Sequence, residues 1–124
     1  MSTSKTYSQL PRTMGPYVHA VRHHDTLYVS GLTAANTEAQ SARLEEQTAE
    51  ILRQLEVILA HEQRGKLDLI KLTIYLRDIN TLPLIRTLLL TFFSGHFPAC
   101  TMVEVSGLVH PDLLIEVEGI IALA

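Results

Sequence analysis

Periodic apolar residues predict seven secondary-structure elements along the chain. Residues 17–24 and 26–31 alternate between apolar and polar positions and form a predicted β-hairpin. Its turn is expected at His24-Asp25, because Asp tolerates special backbone angles. Two stretches of helical spacing follow, and three further strands are predicted at residues 70–77, 100–106 and 113–122. The predicted order is therefore β-β-α-β-α-β-β.

Both predicted helices rest on an apolar stripe. The stripe of the first helix consists of Leu44, Thr48, Ile51, Leu55, Ile58 and Leu59. Ser41 is its expected N-cap, because a serine side chain can accept a hydrogen bond from the first turn. The second helix is expected to begin near Asn80-Thr81 with Pro83 in its first turn, where the missing N–H costs nothing. Its predicted buried face consists of Leu82, Ile85, Leu89, Phe92 and Phe93.

The two faces of the predicted strands differ in character. Within residues 70–77, one face of the strand is expected to carry Ile70, Leu72, Ile74 and Leu76, and the other face Lys71, Thr73, Tyr75 and Arg77. The last strand has one wholly apolar face, while its other face holds Leu114, Glu116, Glu118, Ile120 and Ala122. Carboxylates flanked by aliphatic side chains suit neither a core nor a plain solvent surface. This pattern indicates a sheet face that another subunit half covers.

These elements predict an α+β fold in which one mixed sheet carries both helices on a single face. The other face of the sheet then needs cover, so an oligomer is expected. The 124 residues suit one domain that spans residues 1–124.

Composition and charge narrow the functional class. The formal net charge of −3 and the absence of a basic stripe disfavour a nucleic-acid partner. Residues 1–10 lack the apolar run of a signal peptide, and no uncharged apolar stretch approaches about 18 residues. Cys100 is the single cysteine, so no intrachain disulfide can form. A soluble, cytoplasmic protein with no membrane partner is expected.

The six histidines do not combine into a metal motif. His23 and His24 are adjacent, so on a strand their side chains would point to opposite faces. Neither H-E-x-x-H nor the Cys/His spacing of a zinc site occurs. No metal ion is expected.

An ordered set of short motifs resembles the YjgF/Rid family, the reactive intermediate deaminases, also called endoribonuclease L-PSP. The motifs are Gly15-Pro16-Tyr17, Leu27-Tyr28-Val29-Ser30-Gly31, Glu46-Gln47-Thr48, Lys71-Leu72-Thr73-Ile74-Tyr75-Leu76, Arg77-Asp78-Ile79-Asn80, Pro98-Ala99, Val103-Glu104-Val105 and Ile115-Glu116-Val117-Glu118. Each motif alone is weak, but the set in this order covers nearly the whole chain.

The resemblance implies a chorismate-mutase-like fold and a homotrimer whose three sheets form a central barrel, with ligand clefts between subunits. Family members with deaminase activity hydrolyse enamines and imines such as 2-aminoacrylate and 2-iminopropionate, and they use no metal or organic cofactor. Their site residues match this chain at Tyr17, Ser30, Gly31, Asn80 and Glu118. Their carboxylate-binding arginine, which follows the Pro-Ala pair, is replaced here by Cys100.

The resemblance therefore implies catalytic roles for Glu118 and Tyr17. The substrate-binding residues it implies are Ser30, Gly31, Asn80, Cys100 and Thr101. Alternative interpretations remain at this point: Tyr17 as an interface aromatic, Asn80 as a helix cap, and Cys100 as a small residue that only lines the cleft. Glu104 and Glu116 are interpreted as structural residues.

The missing arginine leaves three explanations open. In the first, the substrate has no carboxylate near position 100. In the second, another cationic side chain binds the substrate carboxylate. In the third, the protein binds a ligand but no longer catalyses a reaction. The candidate cations are Arg22, Arg77 and His110. The functional hypotheses are accordingly an enamine or imine deaminase with an altered substrate, a non-catalytic metabolite-binding or regulatory trimer, and a ribonuclease, which the net charge disfavours.

Overall fold

The structure, a computed structural model, describes residues 2–124. Its strands are β1 (Ser2–Lys5), β2 (Ala20–His23), β3 (Thr26–Leu32), β4 (Leu69–Leu76), β5 (Ala99–Glu104) and β6 (Ile115–Ala122). Its helices are α1 (Leu44–His61) and α2 (Leu82–Phe93), and short 3-10 turns at Lys66–Asp68 and Ile79–Thr81 precede β4 and α2.

All six strands belong to one mixed sheet with the order β1-β2-β3-β6-β4-β5. Strands β4 and β5 are parallel, and every other neighbouring pair is antiparallel. Side chains of α1 and α2 share one apolar cluster with the sheet, so both helices cover the same face. The predicted α+β fold, with one mixed sheet and two helices on one face, is thereby confirmed.

The core lies between the helices and the inner face of the sheet. The buried side chains that meet there include Ile51, Leu55 and Ile58 from α1 and Leu27, Leu72, Ile74, Val117 and Ile121 from the strands. On α2, Ile85 and Phe93 are buried, and the rest of the predicted face packs against this cluster while partly exposed. The helical stripes and the strand alternation therefore place the same apolar residues in one core.

Gln47 is a fully buried polar side chain that ties α1 to the loop before β6. Its amide nitrogen donates to the backbone carbonyls of Gln40, Ala42 and Asp112 at 2.8–3.1 Å. Its amide oxygen accepts from the backbone N–H of Leu114 at 2.9 Å. One side chain thus satisfies backbone groups of two loops that lie far apart in sequence.

The structure corrects the prediction that Ser41 caps α1. The helix begins at Leu44, and the residue before it, Arg43, has an extended backbone with no side-chain cap. The Ser41 hydroxyl instead donates to Asp112 at 3.0 Å. Because Gln47 already binds the carbonyls of the preceding loop, that loop stays outside the helix.

The structure also corrects the orientation of Ile70 and adds a strand. Ile70 is 47% exposed, whereas Leu69 is buried. The pairing of β4 with β6 shifts register between Leu69 and Lys71, so the alternation moves by one residue there.

Strand β1 is not expected from the sequence, because its polar residues have no apolar alternation, yet it pairs with β2 along the sheet edge.

The outer face of the sheet, opposite the helices, carries a mixture of polar and apolar side chains. Tyr28 and Val103 are exposed on it by 49% and 38%. Glu116, Glu118 and Ile120 lie on this face of β6 and are partly buried. This is the two-sided character that the alternation in the last strand predicts.

Across residues 2–124, none of the helices combines the length and apolar character that a membrane crossing requires.

The four bonds of Gln47 predict a large stability effect. In Gln47→Leu the volume is kept but partly buried backbone groups of both loops lose their partners, so we expect the free energy of unfolding to fall by about 2–5 kcal/mol. Glu56→Leu, at an exposed position of α1, should change it by less than about 0.5 kcal/mol. Urea denaturation at one fixed protein concentration measures both. Equal effects of the two substitutions would contradict the role assigned to Gln47.

Candidate functional site

A cavity of about 370 Å³ opens on the outer face of the sheet, where β3 and β6 meet the segment that precedes β2. Its lining residues are Met14, Tyr17, Ser30, Gly31, Thr33, Val109 and Glu116. It therefore brings together three of the residues that the resemblance indicated, Tyr17, Ser30 and Gly31. None of the lining residues is Lys, Arg or His.

A break in strand pairing positions Ser30 and Gly31 in this cavity. The register of β3 against β6 shifts between Val29 and Leu32, so the two residues between them do not continue the ladder. The Ser30 hydroxyl donates to the carbonyl of Val18 at 2.7 Å. This bond holds the segment that carries Tyr17 beside the break in the ladder.

His19 fixes the segment that forms the rim of the cavity. Its Nδ1 accepts from the backbone N–H of Tyr7 at 2.9 Å, so Nδ1 carries no proton. Its Nε2 therefore carries the proton and donates to the carbonyl of Pro11 at 2.8 Å. The buried ring of His19 thus holds Tyr7 and Pro11 of the N-terminal segment beside the start of β2.

Gly31 leaves the space that the Glu116 carboxylate occupies. A Cβ atom added at Gly31 would overlap Oε2 of Glu116 and would lie 2.8 Å from its Cδ. A side chain at this position would therefore push the carboxylate aside. Glycine at position 31 and glutamate at position 116 form a complementary pair across β3 and β6.

Glu116 faces the cavity without a cationic partner. Its side chain is partly buried, and among residues 2–124 no cation lies within ion-pair distance of its carboxylate. Burial raises the pKa of the Glu116 carboxyl, and the nearby charge of Glu118 raises it further. A carboxyl group with these properties keeps its proton to a higher pH than an exposed glutamate.

Glu118 lies on the same face of β6 but does not line this cavity. Its Oε1 accepts a hydrogen bond from the hydroxyl of Tyr75 on β4. That bond is the main cause of a raised pKa for Tyr75, because it stabilises the protonated phenol. The two glutamates of β6 thus have different environments: Glu118 is held by a donor and Glu116 is free to meet a ligand.

Thr101 and Cys100 lie on opposite faces of β5. Thr101 is level with Thr73 and Glu118 on the outer face, and its hydroxyl accepts from Nζ of Lys71 at 2.7 Å. Cys100 is paired with Leu72, whose side chain points into the core. Within one chain, Cys100 is therefore separated by the sheet from the cavity that Tyr17 lines.

The Cys100 side chain lines an apolar groove of about 320 Å³ between β5 and α2. The groove is lined also by Leu72, Arg86, Leu89, Leu90, Phe93, Phe97, Pro98 and Met102. Burial raises the pKa of the Cys100 thiol, and the opposing effect of Lys71 is smaller. The thiol is therefore protonated at neutral pH, which suits a lining residue better than a nucleophile.

Asn80 lies in the 3-10 turn between β4 and α2, away from the cavity. Its backbone N–H donates to Asp78, whose side chain is the cap of that turn. Glu104 accepts from the backbone N–H of Ile79 at 2.9 Å, as expected for a structural residue. Within one chain, Asn80 does not meet Tyr17 or Ser30.

None of the candidate substitutes for the missing arginine lines the cavity. Arg22 donates to the carbonyl of His24, and His110 accepts from the backbone N–H of Asp112. Arg77 binds Leu114 through its backbone N–H. Over residues 2–124 the structure contains no group of three or more His, Cys, Asp or Glu residues arranged to hold a metal ion.

The cavity also contains residues that sequence reasoning did not select: Met14, Thr33, Val109 and Glu116. The alternation in β6 placed Glu116 on the same face as Glu118, which was a usable signal. No local pattern in the sequence showed the break in the pairing of β3 that makes Gly31 face Glu116. The partners of Glu116 come from a strand more than eighty residues away, so local patterns could not indicate them.

Comparison with known proteins gives consistent matches over nearly the full length. The family described as Endoribonuclease L-PSP matches residues 7–123. A RutC family protein of Pyrococcus horikoshii is 31% identical over 113 residues, which cover 89% of each chain. A Dermatophagoides farinae protein named 2-iminobutanoate/2-iminopropanoate deaminase is 26% identical over 116 residues, covering 91% of this chain and 90% of that protein. The crystal structure of a Rid-family protein from Yersinia pestis matches with a TM-score of 0.87 and 26% identity, covering 98% and 99% of the two chains.

The raised pKa of Glu116 predicts a pH dependence of stability. The folded chain holds this proton to a higher pH than the unfolded chain, so its contribution is full below the unfolded pKa and is lost as the pH rises through the folded pKa. Relative to Glu116→Gln, the native protein should therefore lose stability as the pH rises above the ordinary range of a glutamate. Urea denaturation from about pH 4 to about pH 8 measures this difference. A difference that does not vary with pH would show that Glu116 titrates normally.

Proposed function

This chain belongs to the endoribonuclease L-PSP family, which includes the YjgF/Rid proteins, and from that premise we propose that it hydrolyses a small reactive enamine or imine to a carbonyl compound and ammonia. The observation that carries the proposal is the cavity in which Tyr17, Ser30 and Gly31 meet the outer face of β6 at Glu116, two residues before Glu118 on the same face. The relative named as an imine deaminase supports the same reaction class.

In the proposed reaction, water adds to the carbon of the C=N bond, and the resulting carbinolamine expels ammonia as the carbonyl forms. Glu118 accepts a proton from the attacking water. The Tyr75 hydroxyl holds that carboxylate in one orientation through its hydrogen bond, which limits the reorganisation needed during the reaction. No metal or organic cofactor takes part.

Substrate contacts are assigned to both sides of a cleft between subunits. Tyr17 orients the substrate or water, and the Ser30-Gly31 segment lies against it. Asn80 and the edge strand β5, which carries Cys100 and Thr101 on its two faces, approach from a neighbouring copy. This assignment follows the resemblance, and it is supported by the mixture of polar and apolar side chains on the outer face of the sheet, which a homotrimer would bury.

Cys100 alters the substrate that the cleft can hold. An arginine at this position would meet a carboxylate with two parallel charged hydrogen bonds, whereas a protonated thiol is a weak, uncharged donor. We therefore assign to this chain a substrate other than 2-aminoacrylate.

A cytoplasmic location is part of the same proposal, since reactive imines of metabolism arise where amino compounds are processed.

A second candidate is a non-catalytic metabolite-binding or regulatory trimer. It is favoured by one observation: the lining of the cavity contains no arginine to hold the acids on which deaminases of the family act.

Ribonuclease activity is disfavoured on electrostatic grounds. The net charge is −3, and the cavity presents a carboxyl group where RNA would bring phosphates.

Glu118→Gln tests the proposed reaction. Removing the proton acceptor should lower kcat about 10²–10⁴-fold while the fold is kept. The assay follows the loss of semicarbazide trapping of freshly generated imines, together with ammonia release. Glu56→Gln, which is exposed on α1, is the matched control. Turnover that Glu118→Gln leaves unchanged would contradict the mechanism, and binding of a metabolite without any turnover would favour the second candidate.

Cys100→Arg tests the substrate assignment. A restored charged hydrogen bond is worth about 1.5–3 kcal/mol, so kcat/KM on 2-iminopropionate should rise about ten- to two-hundredfold. Cys100→Ser, which adds no charge, should leave it within about threefold. Equal activity of the native protein and Cys100→Arg would mean that another group already holds the carboxylate.

A further inference from the structure

We infer that the apolar groove between β5 and α2, which contains Cys100, binds a small amphipathic anion. The apolar body of the ligand lies along the groove, and Arg86 binds its anionic group. The ligand class is an organic acid that carries an aliphatic chain or a single aromatic ring. Such binding requires no reaction, so it goes beyond the proposed function.

One face of a helix and one face of a strand form the groove. The helix contributes four residues that are three or four positions apart and therefore share one face of α2: Arg86, Leu89, Leu90 and Phe93. Cys100 and Met102 alternate along β5, so they also lie on one face of their strand. A volume of about 320 Å³ and an apolar lining with a single charged group are typical of sites for small organic molecules.

Arg86 is the charged group of this lining. Among residues 2–124, no carboxylate lies within ion-pair distance of its guanidinium group. A guanidinium group binds a carboxylate or another oxyanion through parallel charged hydrogen bonds. No Asp or Glu lines the groove to repel such an anion. The groove therefore favours an anionic ligand over a cationic one.

The apolar part of the groove lies beside Arg86 and is open to solvent. Leu90 on α2 and Phe97 before β5 are each 58% exposed. The helix face from Arg86 to Phe93 extends over roughly 10 Å. A ligand bound at Arg86 can therefore lay several carbon atoms against this face, and each methylene group that leaves water strengthens binding by about fourfold. An anion without an apolar body gains little here.

Methyl-labelled methionine distinguishes this groove from the cavity that Glu116 faces. The chain contains three methionines. Met102 lines the groove, and Met14 lines the cavity. The full chain is prepared with ¹³C in its methionine methyl groups, and NMR follows them while hexanoate, propionate or hexan-1-ol is added. Met102→Leu assigns the resonance of Met102.

Hexanoate should shift the Met102 methyl resonance with a Kd below about 1 mM. Propionate is shorter by three methylene groups and should bind at least about tenfold more weakly. Hexan-1-ol keeps the chain but has no charge, so it should bind about fivefold more weakly or worse. The preference for hexanoate over hexan-1-ol measures what the anionic group contributes.

Arg86→Gln tests the anion contact. It should reduce the preference for hexanoate over hexan-1-ol to within about twofold, because both ligands then meet only uncharged groups. The affinity for hexan-1-ol should stay within about twofold, whereas damage to the groove itself would weaken both ligands. Arg22→Gln is the matched control: it removes the same charge from an exposed residue of β2 outside the groove and should behave as the native protein does.

Four results would overturn the inference. The first is a preference for hexanoate that Arg86→Gln leaves intact. The second is a shift confined to Met14, which would place the ligand in the other cavity. The third is a Met102 resonance that does not respond to about 10 mM hexanoate. The last is a Met102 resonance that changes with protein concentration and not with hexanoate, which would mean that a second copy covers the groove. None of them depends on turnover of an imine.

Discussion

The central position of β6 between β3 and β4 is the constraint on which both the core and the cleft depend. Its inward residues, such as Val117 and Ile121, close the apolar cluster beneath the helices. Its outward residues, Glu116 and Glu118, lie between the cavity and Tyr75. Because successive side chains of a strand alternate, the core that fixes the register of β6 also fixes where both carboxyl groups stand. A slip of one residue would place those carboxyl groups in the core.

Local patterns predicted the elements that make this arrangement and missed the places where the pairing is interrupted. The stripe of α1 and the alternation of β6 were sufficient to predict one sheet with both helices on one face. The shift at Leu69 and Lys71 and the break between Val29 and Leu32 arise from pairing with distant strands, so no local period records them. Ser41 was misassigned for a related reason, since Gln47 binds the loop before α1 from inside the helix.

The candidate site was predicted as a set of residues but not as a geometry. Tyr17, Ser30 and Gly31 do meet in one cavity. Asn80, Cys100 and Thr101 stand elsewhere on the same chain, and only a neighbouring copy could bring them to that cavity. Residue motifs therefore indicate membership of a site without indicating which chain supplies each residue. The mixture of polar and apolar side chains on the outer face of the sheet is the feature that favours the proposed contact with a neighbouring copy.

The replacement of an arginine by Cys100 and the exposure of Glu116 to the cavity both bear on the electric charge of the proposed cleft. An arginine in such a cleft would serve two purposes: it would hold a substrate carboxylate, and it would offset the negative charge of the two glutamates. No cationic side chain lines the cavity that Glu116 faces, so within one chain nothing in the lining would offset a charge on this carboxyl group. Under the proposed function, a cavity with a carboxyl group and no cation would hold an acidic substrate less well than an uncharged one, because like charges repel. The absence of a cation at position 100 is therefore the feature on which the proposed choice of substrate rests.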